Sequence, residues 1–348
     1  MGLIYCGIDE AGYGPMLGPM CVGFSAIRLA EWDPAAGAPD LWKLLSRAVC
    51  RDGGDKRRRI AVADSKKLKL SNQLKTKHPL THLERGVMAF AGLVSETARE
   101  RDSETEGEGI EALRHRGIEA AVETDSALFA ALGVRLEPHG WYGGEEIGLP
   151  LGCTGKQIAI ARNKLALACD GAGVEPVALA CIAVGEREFN EVVRTGGSKG
   201  HVTGHCFARY LRRVVERWGA GPDEVRVVCD SHGGRTCYAG MIEAAVRGMG
   251  FEIETLEESE RCSRYRVGER VAVLFRPEAE DAHLPVALAS MTAKLVRELA
   301  MARFNRYWCM RMPDLKPTAG YTLDARRWLE EANGIVRQEE REVMVRMA

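Results

Sequence analysis

An α/β fold, with a sheet covered by helices, is predicted by three features of the sequence. Short runs rich in Val, Ile and Cys are bounded by Gly, Pro or charge; amphipathic stretches of helical period lie between them; and carboxylates stand where two of the runs end. The strand-like runs cover residues 3–8, 20–27, 177–184, 225–229, 251–256 and 270–275. Residues 207–218 place Leu211, Val214, Val215 and Trp218 on one helical face, and residues 235–250 do the same with Met241, Ile242, Ala245, Val246 and Met249. Residues 286–303 and 323–347 close the chain as helices, the second heavily charged.

Between the second and third strands the pattern is interrupted. Residues 96–111 are acidic and small, a composition that predicts a flexible loop, and residues 110–132 regain helical periodicity. Residues 137–153 are Gly- and Pro-rich around Trp141-Tyr142 and read as irregular, so residues 101–175 are expected to be an insertion. The domain layout predicted is 1–305 for the α/β body, with that insertion, and 306–348 for a helical C-terminal extension.

The chain has 348 residues, 46% hydrophobic and 28% charged, with a net charge of −1, which excludes collagen, coiled coil and wholesale disorder. With no run of about eighteen apolar residues and no basic, apolar leader, neither a membrane span nor export is expected. Eleven cysteines without Cys-x-x-Cys spacing read as buried free thiols in a reducing cytoplasm, with no structural zinc. Charge is uneven, since residues 43–77 hold twelve Lys and Arg against three Asp. That stretch is either a solvated face or the footprint of a polyanion.

The chemistry-bearing residues are carboxylates. Asp9-Glu10 stands where the first strand meets Gly12, Gly14 and Gly18, and Asp230 ends the fourth strand before Ser231-His232-Gly233-Gly234. Ligands gather at strand ends in open α/β sheets, although Asp before Gly is also a common turn residue. A third cluster, Glu278, Glu280 and Asp281, precedes an apolar helix, where acids also serve as caps. Scattered Asp and Glu without His or Cys partners suit hard cations such as Mg²⁺ or Mn²⁺.

Four motifs in order now resemble one family. Gly7-Ile8-Asp9-Glu10-Ala11-Gly12-Tyr13-Gly14-Pro15, continuing to Gly18-Pro19, resembles the opening motif of ribonuclease HII, and Asp64-Ser65-Lys66-Lys67-Leu68 its second hallmark. Ala289-Ser290, Ala293-Lys294 and Arg297-Glu298 are similar to its Ala-Ser-Ile-x-Ala-Lys-x-x-Arg-Asp helix, and Gly320-Tyr321-Thr322 to its Gly-Tyr-Gly/Pro-Thr. The likeness covers about residues 1–95 and 177–330. It implies an RNase H-like mixed sheet flanked by helices, with a helical C-terminal extension. It further implies a metal-dependent endonuclease cutting the RNA strand of RNA–DNA hybrids, with two ions about 4 Å apart; the sequence leaves the oligomeric state open, with a monomer favoured.

The acidic quartet the resemblance implies is Asp9, Glu10, Asp230 and, aligned on Pro285, Asp281; aligned on Ser290 the fourth is Glu280. Substrate contacts are implied for Gly12, Tyr13, Gly14, Lys66, Lys67, Ser290, Lys294 and Tyr321. The family's Gly-Arg-Gly is here Gly12-Tyr13-Gly14, which removes a guanidinium fork for phosphate and leaves backbone contact with a ribose 2′-OH. The alternatives are a nuclease of the same fold acting on another DNA or RNA structure, and a nucleic-acid-binding protein that does not cut.

Three further patterns are weaker. Gly152-Cys153-Thr154-Gly155-Lys156-Gln157 lacks the Walker spacing, and residues 195–206, with His201 and His205, read as a mobile loop before a helix. His232 beside Asp230 is an expected proton shuttle.

Overall fold

The structure is a computed structural model that describes residues 1–94, 122–231 and 235–347. Its frame is a seven-stranded mixed sheet in the order β5-β2-β1-β6-β9-β8-β7, built from β1 (Leu3–Ala11), β2 (Met20–Leu29), β5 (Val174–Val184), β6 (Glu224–Asp230), β7 (Ile253–Glu258), β8 (Ser263–Val267) and β9 (Val271–Arg276). The two-residue strands β3 (Val49–Cys50) and β4 (Ile60–Ala61) pair separately. β5, β2 and β1 are antiparallel, β1, β6 and β9 parallel, and β8 and β7 add an antiparallel edge. This is the helix-flanked mixed sheet expected.

Twelve helices of the α type lie among the described residues. They are α1 (Leu41–Leu44), α2 (Ser65–Leu68), α3 (Thr81–Ala91), α4 (Asp125–Ala131), α5 (Gly155–Ala172), α6 (Glu186–Gly196), α7 (Lys199–Trp218), α8 (Ala239–Val246), α9 (Ala279–Ala282), α10 (Leu284–Arg311), α11 (Thr322–Glu331) and α12 (Gln338–Met344).

Strand alternation divides the core. In β1, Ile4, Cys6 and Ile8 pack under α6, α7 and α8 with Phe189, Phe207 and Ile242, whereas Leu3 and Tyr5 face α3, α5 and α10. A strand buried on both faces reads as a continuous apolar run, as residues 3–8 do. On the α10 face the strands offer glycines where the helix crosses. A Cβ on Gly7 would sit 2.1 Å from the carbonyl carbon of Pro285, and one on Gly23 2.0 Å from the carbonyl oxygen of Ala289. α10 therefore lies directly on the backbone of β1 and β2, and Ser25 Oγ donates to the Pro285 carbonyl at 2.7 Å.

A third cluster, with Leu17, Trp141, Phe304, Trp308, Trp328 and Met344, joins the end of α10 to α11 and α12. The boundary expected at 305/306 falls inside the continuous helix α10. The single helix expected over 323–347 is instead α11, a short 3₁₀ turn ending at Gly334, and α12. Of the expected insertion, residues 101–121 lie outside the described residues, as does the loop expected over 96–111. The rest is not an appendage, since Leu128, Phe129, Ala161 and Leu165 belong to the α10-side core. Asp125, fully buried, pairs with Arg303 of α10 at 2.6 and 2.7 Å.

The Thr154 to Gln157 segment is a capping box that starts α5. The mobile loop expected over 195–206 is corrected: α7 begins at Lys199, so His201 and His205 are helical. Its Gly204 lets α8 approach, because a Cβ there would lie 2.9 Å from Met241 Sδ. All eleven cysteines are free and seven are buried; Cys237 is exposed. No helix among the described residues is long and apolar enough to cross a membrane.

Candidate active site

Asp9 and Glu10 lie in the last three residues of β1, opposite Gly23 and Val22 of the antiparallel partner β2. The parallel pair Ile8–Cys229 lies one step earlier, so Asp230, which ends β6, arrives beside Asp9. Strand parity sends Asp9 to the α10 face with Leu3, Tyr5 and Gly7. There Ser290 of α10 reaches its carboxylate. Ser290 is held in turn by a 3.0 Å hydrogen bond to Ser65, which opens α2 under the Asp64 cap.

β9 ends in a turn in which Glu278 takes φ +53°, and the four-residue helix α9 follows. This turn points the Ala279 N–H at Asp230 Oδ1, 3.4 Å away. It also decides which acid joins the group. Glu280 is half-buried beside Asp9, Glu10 and Asp230, and its Oε2 is buried without a hydrogen-bond partner among the described residues. Asp281 turns outward, its side chain 50% exposed and paired with Lys67 Nζ at 2.9 Å. Asp281, the fourth acid expected by alignment on Pro285, thus faces away from the group, and Glu280, the acid given by alignment on Ser290, lies beside it, because one residue of helix rotates a side chain by about 100°.

The electrostatics show four carboxylates in each other's field. Asp9 is held well above the usual carboxylate range by burial and then by Glu10, against the Ser290 hydrogen bond. Burial and Asp230 push Glu10 up to about 7, with Lys66 opposing. Asp230 is raised by burial against the N–H groups of Ala279 and Ser231, and Glu280 by burial and then by Asp230. Such crowding is unfavourable without a compensating cation. The donors are all hard oxygens and one of them is orphaned, so the residues present fit Mg²⁺ or Mn²⁺.

The expected substrate-binding residues fall into two groups. Lys66 and Lys67 are exposed on α2, and Lys294 pairs with Glu298 at 2.8 Å one turn along α10. Gly12, with φ +88°, opens a loop that exposes Tyr13 and Gly14. The N–H groups of Met16 and Leu17 donate to the Gly320 carbonyl at 2.8 and 3.2 Å, which sets exposed Tyr321 beside that loop. His232, Gly233 and Gly234 lie outside the described residues, as does the proton shuttle expected at His232.

Two arginines supply what the motif reading missed. Arg297 donates to the carbonyls of Pro19, Leu17 and Ala319 at 2.8, 3.2 and 3.0 Å. Arg346, from the C-terminal tail, donates to those of Gly12, at 2.7 Å, and Pro15. Only Arg297 carried a signal, its place in the helix motif.

No family model matches the chain, and no curated protein matches it. Among solved structures the chain is similar to ribonucleases of types HII and HIII. Ribonuclease HII of Archaeoglobus fulgidus, in a complex with PCNA, shares 14% identity over 99% of this chain and 94% of its own, with a TM-score of 0.39. Ribonuclease H2 of Pyrococcus horikoshii shares 15% over 99% and 97%, with a TM-score of 0.40. The Bst ribonuclease HIII bound to Mn²⁺ shares 15% over 98% of this chain and 64% of its own, also with a TM-score of 0.40.

Proposed function

We propose that this protein is a divalent-metal-dependent endonuclease that hydrolyses the RNA strand of RNA–DNA hybrids. The observation that carries the reading is the group of Asp9, Glu10 and Asp230 at adjacent strand ends with Glu280 of α9 in their field, its Oε2 orphaned. Those four would hold Mg²⁺ or Mn²⁺, which supplies an activated water and stabilises the departing oxygen when bound. Asp9 and Asp230 are fixed by the strands and by hydrogen bonds to Ser290 and Ala279, so the anionic donors are ordered before any ligand arrives.

The rest of the surface suits a nucleic acid. Lys66 lies close enough to oppose the charge on Glu10 and Asp230, a position from which it can meet phosphate. Exposed Tyr13 and Tyr321 offer aromatic faces on the linked loops, and Gly12 and Gly14 offer backbone to a ribose 2′-OH. Tyr13 in place of a guanidinium favours reading an RNA tract over a single embedded ribonucleotide.

The test is cleavage of labelled duplexes containing no ribonucleotide, one ribonucleotide or an RNA tract, with Mg²⁺ or Mn²⁺. Cleavage preferring the tract and lost in Asp9→Asn supports the proposal. A duplex that binds but is never cut replaces the enzyme with a binding protein, and cutting of all-DNA duplexes points to another nuclease of this fold.

A further inference from the structure

We propose that Glu137, His139 and Glu186 form a second cation site, for a divalent transition metal of the zinc type, apart from the strand-end carboxylates. One ligand atom from each of these residues lies within 4.8 Å of the other two. Glu186 begins α6 just after β5, the edge strand, two strands from β1 and so on the order of 10 Å along the sheet from Asp9.

The second observation is an orphaned carboxylate oxygen. Glu186 is fully buried; its Oε1 accepts from Tyr142 Oη at 2.6 Å, while its Oε2 has no partner among the described residues. Arg346 also faces Glu186, but its hydrogen bonds go to the carbonyls of Gly12 and Pro15.

The other two ligands are already oriented. Glu137 accepts from the N–H groups of Glu188 at 2.9 Å and Arg187 at 3.3 Å, across the start of α6. His139 Nε2 lies 2.6 Å from Glu137 Oε2, and its ring stacks on Trp141 with centroids 4.4 Å apart. Outer partners of this kind, with Tyr142 on Glu186, fix ligand geometry around metals. An ion about 2.0–2.2 Å from both atoms asks Glu137 and His139 to part by roughly 0.7 Å. An imidazole with two carboxylates selects zinc-type ions over Mg²⁺ or Ca²⁺. The bound ion would tether residues 137–142 to α6.

The test is equilibrium dialysis of the full-length protein against Zn²⁺, with metal quantified per chain. Asp9→Asn should keep one tightly held Zn²⁺. His139→Gln and Glu186→Gln should weaken binding by at least the roughly 10–100-fold that loss of an outer partner causes. Glu186→Gln keeps an acceptor for Tyr142 and removes the buried charge, so it folds without metal even if His139→Gln does not. No Zn²⁺ uptake by the wild type, uptake unchanged in Glu186→Gln, or uptake lost only in Asp9→Asn would overturn the proposal. No arm depends on nuclease activity.

Discussion

Arg346 Nη2 donates to the carbonyl oxygen of Gly12 at 2.7 Å, across 334 residues of sequence. The same guanidinium reaches Pro15, and the Arg346 N–H donates to Met16 at 2.8 Å, so the tail fixes the loop that exposes Tyr13. Arg346→Ala strands buried carbonyls and should cost about 2–3 kcal/mol in urea unfolding. It should also weaken duplex binding in a filter or anisotropy assay. Arg346→Lys should recover only part of both, since one ammonium cannot replace the fork. Binding at wild-type strength in Arg346→Ala would separate the loop from recognition.

The buried Asp125–Arg303 pair is a second long-range anchor. Arg303→Met leaves the buried Asp125 without its guanidinium, although the N–H groups of Ser126 and Ile147 remain at 2.9 Å. The expected loss is about 3–5 kcal/mol in chemical denaturation. A loss under 1 kcal/mol would mean that those N–H groups suffice.

Gly23→Ala should be costly for a different reason. Its Cβ would lie 2.0 Å from the Ala289 oxygen, and backbone on both sides cannot yield without moving α10. Overpacking of this kind costs about 1–3 kcal/mol or more, and here it should also disturb Ser290. Thermal unfolding of Gly23→Ala, with Gly14→Ala as a control that meets nothing within 4 Å, tests it.

His283, which caps α10 and shares a hydrogen bond with Tyr5, gives the fold a pH dependence. Burial, aided by Arg276 and Arg226, lowers its pKa from 6.5 to about 4. The unfolded chain therefore takes up a proton that the native chain refuses. Its contribution is present above pH 6.5 and is lost as pH falls towards about 4. The loss amounts to roughly 3 kcal/mol. His283→Gln should flatten stability between those pH values; an unchanged slope would assign it to other groups.

What was legible in the sequence was local. Asp9, Glu10 and Asp230 could be placed because apolar runs end at them, and parity then fixes which face each takes. The choice between Glu280 and Asp281 was not legible, because it depends on Glu278 at φ +53° and the single turn after it. β8 was missed because its five residues alternate inward Ser263, Tyr265 and Val267 with outward Arg264 and Arg266, too short a period to stand out. Gly200 and Gly204 made the start of α7 read as loop, although Gly204 serves helix packing. Arg346 belongs to no local pattern at all.

Whether Glu280 or Asp281 completes the acidic group is decided by metal-dependent cleavage of a labelled RNA–DNA hybrid by Glu280→Gln and Asp281→Asn. Glu280→Gln should lose activity by at least the roughly 10²–10³-fold typical of removing an electrostatic stabiliser, while Asp281→Asn stays near wild type. The reverse pattern, or full activity in Glu280→Gln, would contradict Glu280 as the fourth acid.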